Sequence, residues 1–390
     1  MTAVDIDREA TEAAGLRYVD DSGPGITRTR VRGGFAYFAP DGAKIIEATE
    51  LERVAALAVP PAYEDVWISP SPHGHVQATA RDAKGRKQYR YHKRWREVRD
   101  ATKYGATLAF GAALPTLRER VERDLRATRL TREHVIAAVV RTLDATHIRI
   151  GNETYARDND SFGLTTLRDR HVKVTTAGKV RMKFRGKSGV EHAIDFSDTR
   201  VARVIAKCHD LPGEKLFGFV DEHGVAHAIE SADVNAYLRE TMRGDFTAKD
   251  FRTFAASVIC ARELEDARRA TTVKDAKAAI KAAIAITATE LGNTPTVCKK
   301  SYVHPAIVET FLDEFSLSLP HVRESQGTHG LATDERRVLA FLASAGERDE
   351  HANRVALLEH SIEKAKRVAE PTGAKASQKR SGPTYASPKR

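Results

Sequence analysis

Four side chains carry the chemistry that this sequence offers, three cations and a phenol. Arg149 sits in His147-Ile148-Arg149-Ile150-Gly151-Asn152, just past a predicted helix end. Lys187 sits in Phe184-Arg185-Gly186-Lys187-Ser188-Gly189, where two glycines predict a hairpin tip from which a long side chain can project. Arg252 sits in Lys249-Asp250-Phe251-Arg252-Thr253-Phe254, in the first turns of a capped helix. Tyr302 closes Cys298-Lys299-Lys300-Ser301-Tyr302. Guanidinium and ammonium groups can position a phosphate, and a phenol can act as a nucleophile. Taken singly each has a plainer reading: a lone cation in a basic protein is usually solvated, and a lone tyrosine usually packs. Spacing alone does not join the four.

Other enzyme motifs are absent. There is no GxxxxGK[ST] for a nucleotide phosphate, no GxGxxG after a strand and no HExxH. Asp158-Asn159-Asp160-Ser161-Phe162-Gly163 resembles the start of a calcium loop, but Phe162 and Asp169 fall where ligands are needed, so it reads as a connecting loop. No metal site is expected.

The elements that must hold these residues follow from pattern. The chain has 390 residues, enough for two or three domains at roughly 150 each. From 23 to about 91 the pattern is β-like: Phe35-Ala36-Tyr37-Phe38 runs into a Pro40-Asp41-Gly42 turn, and His75 to Ala80 alternates before Lys87-Gln88-Tyr89-Arg90-Tyr91. Helical periodicity begins near Trp95. Thr131 is the expected cap of a helix to about His147, and Ser231, Thr247 and Thr272 the caps of three more. The Thr272 helix should stop at Gly292, and Thr294-Pro295 should open another. Between them Val172–Thr175, Val180–Phe184 and Glu191–Ile194 should form a small antiparallel sheet. The expectation is therefore an α+β fold, divided into an arm (1–15), a β-rich domain (16–95), a mainly helical domain (96–325) and a charged helix with a basic, disordered tail (326–390).

Composition narrows the partner. Lys+Arg is 63 against Asp+Glu 53, a net charge of +10, with pI near 9.4 and mean hydropathy −0.43. That excess points to a polyanion, and no apolar run approaches the ~20 residues of a membrane span. Residues 81–103 hold ten Lys/Arg against three Asp/Glu, a basic patch at the junction whose linker near 93–103 is expected to act as a hinge. Cys208, Cys260 and Cys298 are too far apart for a CxxC knuckle and suit a reducing compartment. The acidic, polar start does not read as a secretory signal, so a cytoplasmic, nucleoid-associated protein is expected.

From about 16 to 325 the order of these segments resembles a type IB DNA topoisomerase of the small poxviral and bacterial class. Gly85-Arg86-Lys87-Gln88-Tyr89-Arg90-Tyr91 resembles the DNA-contacting strand of its N-terminal domain. His147 to Gly151, followed by Tyr155 and Gly163-Leu164-Thr165-Thr166-Leu167, resembles the first arginine box. Gly186-Lys187 resembles the lysine box, Lys249-Asp250-Phe251-Arg252-Thr253 the second arginine box, and Asn293-Thr294-Pro295 through Tyr302 the nucleophile box. The resemblance implies a clamp around double-stranded DNA and relaxation of supercoils without ATP, metal or other cofactor, by a protein monomeric in solution. Tyr302 would attack the phosphodiester and form a 3′-phosphotyrosyl link. Arg149 and Arg252 would grip the phosphate, Lys187 would protonate the leaving 5′-oxygen, and Arg86, Tyr89, Tyr91, Tyr155 and Lys249 would contact DNA. The family usually has histidine where this chain has Asn293, which can donate a hydrogen bond to phosphate but cannot become cationic.

Two other functions share parts of this pattern. A tyrosine site-specific recombinase would use a similar cation set and tyrosine, but it typically carries His-x-x-Arg in the second box, where this chain has Lys249. A non-catalytic nucleoid DNA-binding clamp would need the basic surface but not a tyrosine in that box.

Overall fold

A computed structural model describes residues 11–12, 15–175, 177–323 and 329–347. Most of the expected N-terminal arm, and the tail beyond 347, lie outside the described residues. The chain divides into two compact units, 1–340 and 341–390. The architecture is α+β, as expected.

The N-terminal part is an antiparallel sheet of five strands in the order β2-β1-β3-β4-β5. The strands are β1 (Ile26–Val31), β2 (Gly34–Phe38), β3 (Glu64–Ile68), β4 (Val76–Arg81) and β5 (Lys87–Tyr91). Helix α1 (Ala48–Ala56) lays Val54 on a core of Ile26, Val66, Ile68, Ala78 and Ala80. The β4–β5 turn is built by Asp82, whose carboxylate accepts from the Lys84 and Arg86 amides at 2.9 and 3.0 Å. Gly85 there takes φ +72°, a conformation that costs glycine nothing.

The basic run 93–103 opens helix α2 (Lys93–Asp124), 32 residues long. Where a hinge is expected the backbone is continuous helix, its start capped by the His92 side chain, which accepts from Arg94 N. Helix α3 (Arg132–Thr146) starts where predicted, with Thr131 as cap, and is buried along most of its length. A short helix α4 (Glu153–Asn159) follows. The three-stranded sheet of β6 (Val172–Val174), β7 (Lys179–Arg185) and β8 (Glu191–Ser197) also appears where predicted, with Lys187 in the β7–β8 tip. Helix α5 (Thr199–His209) and a two-stranded ribbon, β9 (Gly218–Val220) with β10 (Ala226–Ala228), come next.

Helices α6 (Ser231–Met242), α7 (Ala248–Glu265), α8 (Val273–Glu290), α9 (Pro295–Ser301) and α10 (Pro305–Glu314) complete the body. The caps Thr247, Thr272 and Thr294 stand as predicted. The cap of α6 is Glu230 rather than Ser231. The Asp233 carboxylate accepts from the Glu230 amide at 2.8 Å, which fixes the helix start one residue earlier.

The expected final helix is described over 333–347, of which 333–340 belong to the first unit and 341–347 to the second. Its first part is tied to the helical body. Arg118 on α2 forks onto Asp144 of α3 at 2.8 and 3.0 Å, and onto Glu335 through two bonds of 2.8 Å. Arg337 likewise forks onto Glu265 of α7 at 2.7 and 2.6 Å. Leu339 packs so closely on α2 that a methyl group at Gly111 would lie 2.5 Å from it. No helix among the described residues is long and apolar enough to cross a membrane.

Candidate active site

The end of α3 places Arg149. His147 closes the helix in the left-handed region, at φ +53°. The chain then runs alongside Gly163-Leu164-Thr165: the Leu164 amide donates to the Arg149 carbonyl at 2.9 Å and the Thr165 amide to that of Ile150 at 2.7 Å. Gly163 must be glycine, since a Cβ there would lie 2.5 to 2.6 Å from the backbone of Gly151 and Arg149. This packing fixes the Arg149 backbone and aims its guanidinium at the end of α8. One nitrogen donates to the Gly292 carbonyl at 3.3 Å and another to Asn293 Oδ1.

Arg252 approaches from α7. It is only 3% exposed. Its fork joins two chain ends, donating to the His147 carbonyl and, at 2.8 Å, to the Leu291 carbonyl. Its guanidinium carbon lies 5.2 Å from the centre of the Tyr302 ring. Tyr302 follows α9, and its amide donates to the Cys298 carbonyl at 3.0 Å. Ser257 on α7 ties this segment down by accepting from the His304 amide at 3.1 Å.

Arg149, Arg252, Asn293 and Tyr302 therefore converge from four separate stretches of chain. Two donors in this cluster, Arg252 Nε and Asn293 Nδ2, are buried and find no acceptor among the described residues. Unpaired buried donors are costly, so this cluster is left with two donors for which the described residues supply no acceptor. Burial alone would raise the Tyr302 phenol's pKa. The charge of Arg252, then the charges of Arg149 and Lys249, outweigh it and hold the phenol below its ordinary value. Arg252 itself is lowered by burial and by the neighbouring Arg149.

Lys187 stands apart. It is exposed at the hairpin tip, with its ammonium 5.8 Å from the centre of the Tyr155 ring. On β5 the Tyr89 and Tyr91 rings stack at 5.9 Å, and the Lys87 ammonium sits 5.5 Å from the Tyr89 ring, so alternate residues share one face. Arg86 pairs with Asp82 at 2.7 Å and, by its hydrogen bond above all, holds that carboxyl down to about 2. Lys249 is exposed at the start of α7.

The family model of the eukaryotic DNA topoisomerase I catalytic core matches residues 92–323. The chain belongs to the type IB DNA topoisomerase family. The family model of the bacterial DNA topoisomerase IB N-terminal domain matches residues 34–82. DNA topoisomerase 1B of Acanthamoeba polyphaga mimivirus is 31% identical over 304 residues, 76% of this chain and 90% of that protein. DNA topoisomerase 1B of Vaccinia virus (strain Copenhagen) is 23% identical over 262 residues, 63% of this chain and 79% of that protein. DNA topoisomerase 1 alpha of Arabidopsis thaliana is 27% identical over 123 residues, 32% of this chain and 13% of that protein. The type IB topoisomerases are isomerases that act on DNA, and the recombinase and non-catalytic readings give way to this one.

Two features of this topoisomerase site are absent from the sequence reading. One is His192, whose ring borders both Gly186 and Gly292. Burial first, then Arg149 and Arg252, lower its pKa from the ordinary histidine value. The other is the use of backbone carbonyls at His147 and Leu291 to hold Arg252, which no residue type announces.

Cys298, one turn before Tyr302, is fully buried, and burial pushes its thiol up to about 11. A thiol so protonated and enclosed is a poor nucleophile. N-ethylmaleimide should therefore leave relaxation unchanged and add no mass at Cys298 in the native protein. A labelled Cys298 with loss of activity would contradict the enclosure.

Proposed function

We propose that this topoisomerase relaxes DNA through transesterification at Tyr302. The observation that carries the reading is the fork of Arg252 beside the Tyr302 ring, with Arg149 and Asn293 adjoining. The phenol oxygen attacks phosphorus, the bond to the 5′-oxygen breaks, and a 3′-phosphotyrosyl link forms. Strand swivelling releases supercoils and the 5′-hydroxyl attacks back. One ester replaces another, so no nucleotide is consumed. Arg149 and Arg252 neutralise the non-bridging oxygens and the Asn293 amide donates a hydrogen bond to one of them, the chief demand of phosphoryl transfer. Arg252 also stabilises the negative charge that grows on the phenol oxygen as its proton passes to solvent water.

Lys187 is the general acid in this reading, donating its proton to the departing 5′-oxygen. To do so it leaves Tyr155 when DNA arrives. The β-rich part (16–95) and the helical part (96–325) act as the halves of a clamp, with Arg86, Tyr89, Tyr91, Tyr155 and Lys249 along the DNA backbone. Contacts of this kind carry little sequence information, and binding should weaken steeply with salt. The protein works as a monomer on nucleoid DNA in the cytoplasm.

The test is relaxation of negatively supercoiled plasmid with EDTA and without ATP. Full relaxation is expected, and a requirement for a divalent metal or for ATP would overturn the mechanism. Lys187→Ala should slow cleavage of a defined duplex and recover when the leaving 5′-oxygen is replaced by sulfur, which needs no proton. A defect equal on both substrates would remove Lys187 from the acid role.

A further inference from the structure

His192 lies on β8 directly across from Phe184 on β7, and the two rings stack at 4.9 Å with planes 15° apart. Two glycines meet its other edges. A methyl group on Gly186 would lie 2.6 Å from ring atoms Cδ2 and Nε2, and one on Gly292 would lie 2.4 Å from Cε1. Real Cβ atoms do not come so near, so both backbones close on the imidazole only because neither residue has a side chain. Gly186 begins the tip that carries Lys187, and its amide donates to the Val190 carbonyl at 2.7 Å to close that tip. Gly292 offers its carbonyl to Arg149 and precedes Asn293. A single ring thus fills the space between the lysine hairpin and the turn shared by Arg149 and Asn293.

We propose that His192 is a positioning residue for leaving-group protonation: its ring is the wedge that sets the Lys187 hairpin against the Gly292–Asn293 turn. This rests on the reading of Lys187 as the acid. The wedge fixes where the ammonium swings relative to the phosphate that Arg149 and Asn293 grip. The imidazole need not exchange a proton itself. Burial first, then Arg149 and Arg252, disfavour its charged form, in keeping with a ring that acts by its shape.

Three variants are compared in single-turnover cleavage of a defined duplex, with either oxygen or sulfur at the 5′-bridging position. His192→Ala should cleave the oxygen substrate about 10- to 100-fold more slowly, the usual effect of misplacing a reacting group by an ångström or less. Its DNA affinity should be unchanged, and the sulfur substrate should restore most of the rate. His192→Phe, whose ring can fill the same slot, should stay near wild type. Wild-type cleavage by His192→Ala overturns the proposal. So does an equal defect on both substrates, or a Phe variant as slow as Ala. Lys187→Ala, run in parallel, separates the two ideas. If it is rescued by sulfur and His192→Ala is not, the wedge fails and the acid stands; if it is not rescued, both fall. Should His192→Ala not fold, His192→Gln, polar but ringless, carries the same comparison.

Discussion

Tyr302→Phe leaves supercoiled plasmid unrelaxed and forms no covalent adduct, while binding duplex DNA about as tightly as wild type. The loss should be on the order of 10⁴-fold or more, because no other group can form the link to phosphorus. The fold should survive. The phenyl ring keeps its place 5.2 Å from the Arg252 guanidinium, and the backbone anchors at Cys298 and Ser257 do not involve the hydroxyl. Denaturant-trapped adduct on a gel reads the chemistry, and a filter or mobility assay reads the affinity. An adduct formed by the Phe variant would move the nucleophile elsewhere.

Arg252→Ala comes next in size. Removing one donor aimed at developing charge costs about 10²- to 10³-fold in rate. Here the same change also strips the Tyr302 phenol of its strongest counter-charge. Burial would then act on the phenol with less opposition, raising its pKa. The rising limb of the cleavage rate with pH should therefore move to higher pH in Arg252→Ala. An unmoved limb would mean that Arg252 does not acidify the nucleophile. The variant should also lose stability. The His147 and Leu291 carbonyls both lose a donor, at about 1–3 kcal/mol for each buried group left unpaired. Arg252→Lys keeps the charge but not the fork, so it should retain more of the pH profile than of the rate. Thermal melts beside the rate measurements separate the two losses.

Local rules carried much of the fold into view. Thr131, Thr272, Thr294 and Pro295 each solve a problem of unpaired amides at a helix start, and they solve it in place. Gly292, at φ +59°, stops α8 for the reason glycine stops helices. The lysine hairpin follows from alternation and two glycines. What failed was also local but contested. Ser231 obeys the cap preference better than Glu230 does, and the carboxylate of Asp233, accepting from the Glu230 amide, decides against it. The basic run at 93–103 read as a hinge because charge marks a surface and not a backbone conformation.

The site was legible in a different way. Arg149, Lys187, Arg252 and Tyr302 were singled out by the order of their boxes; the structure brings Arg149, Arg252 and Tyr302 together through contacts between distant segments and leaves Lys187 apart, against Tyr155. His192 shows the limit. Its sequence position marks it as one residue of a strand. Its place at the centre depends on register against Phe184 and on bare backbone at Gly292, neither of which a strand pattern encodes.

The double fork of Arg118 bears on where this protein can be shortened. The match to the catalytic-core family ends at residue 323, a natural place to trim for crystallisation or for a smaller reagent. Trimming there removes Glu335, Arg337 and Leu339 together. Arg118 would keep only Asp144, in the last turn of the helix whose final carbonyl, at His147, holds Arg252. Glu265 would lose its cation, and the face of α2 at Gly111 would lose Leu339 and keep Phe254 against it. A shortened enzyme should therefore keep the helix at least through Leu339, because residues past the family boundary brace the two helices, α3 and α7, between which Arg252 is held.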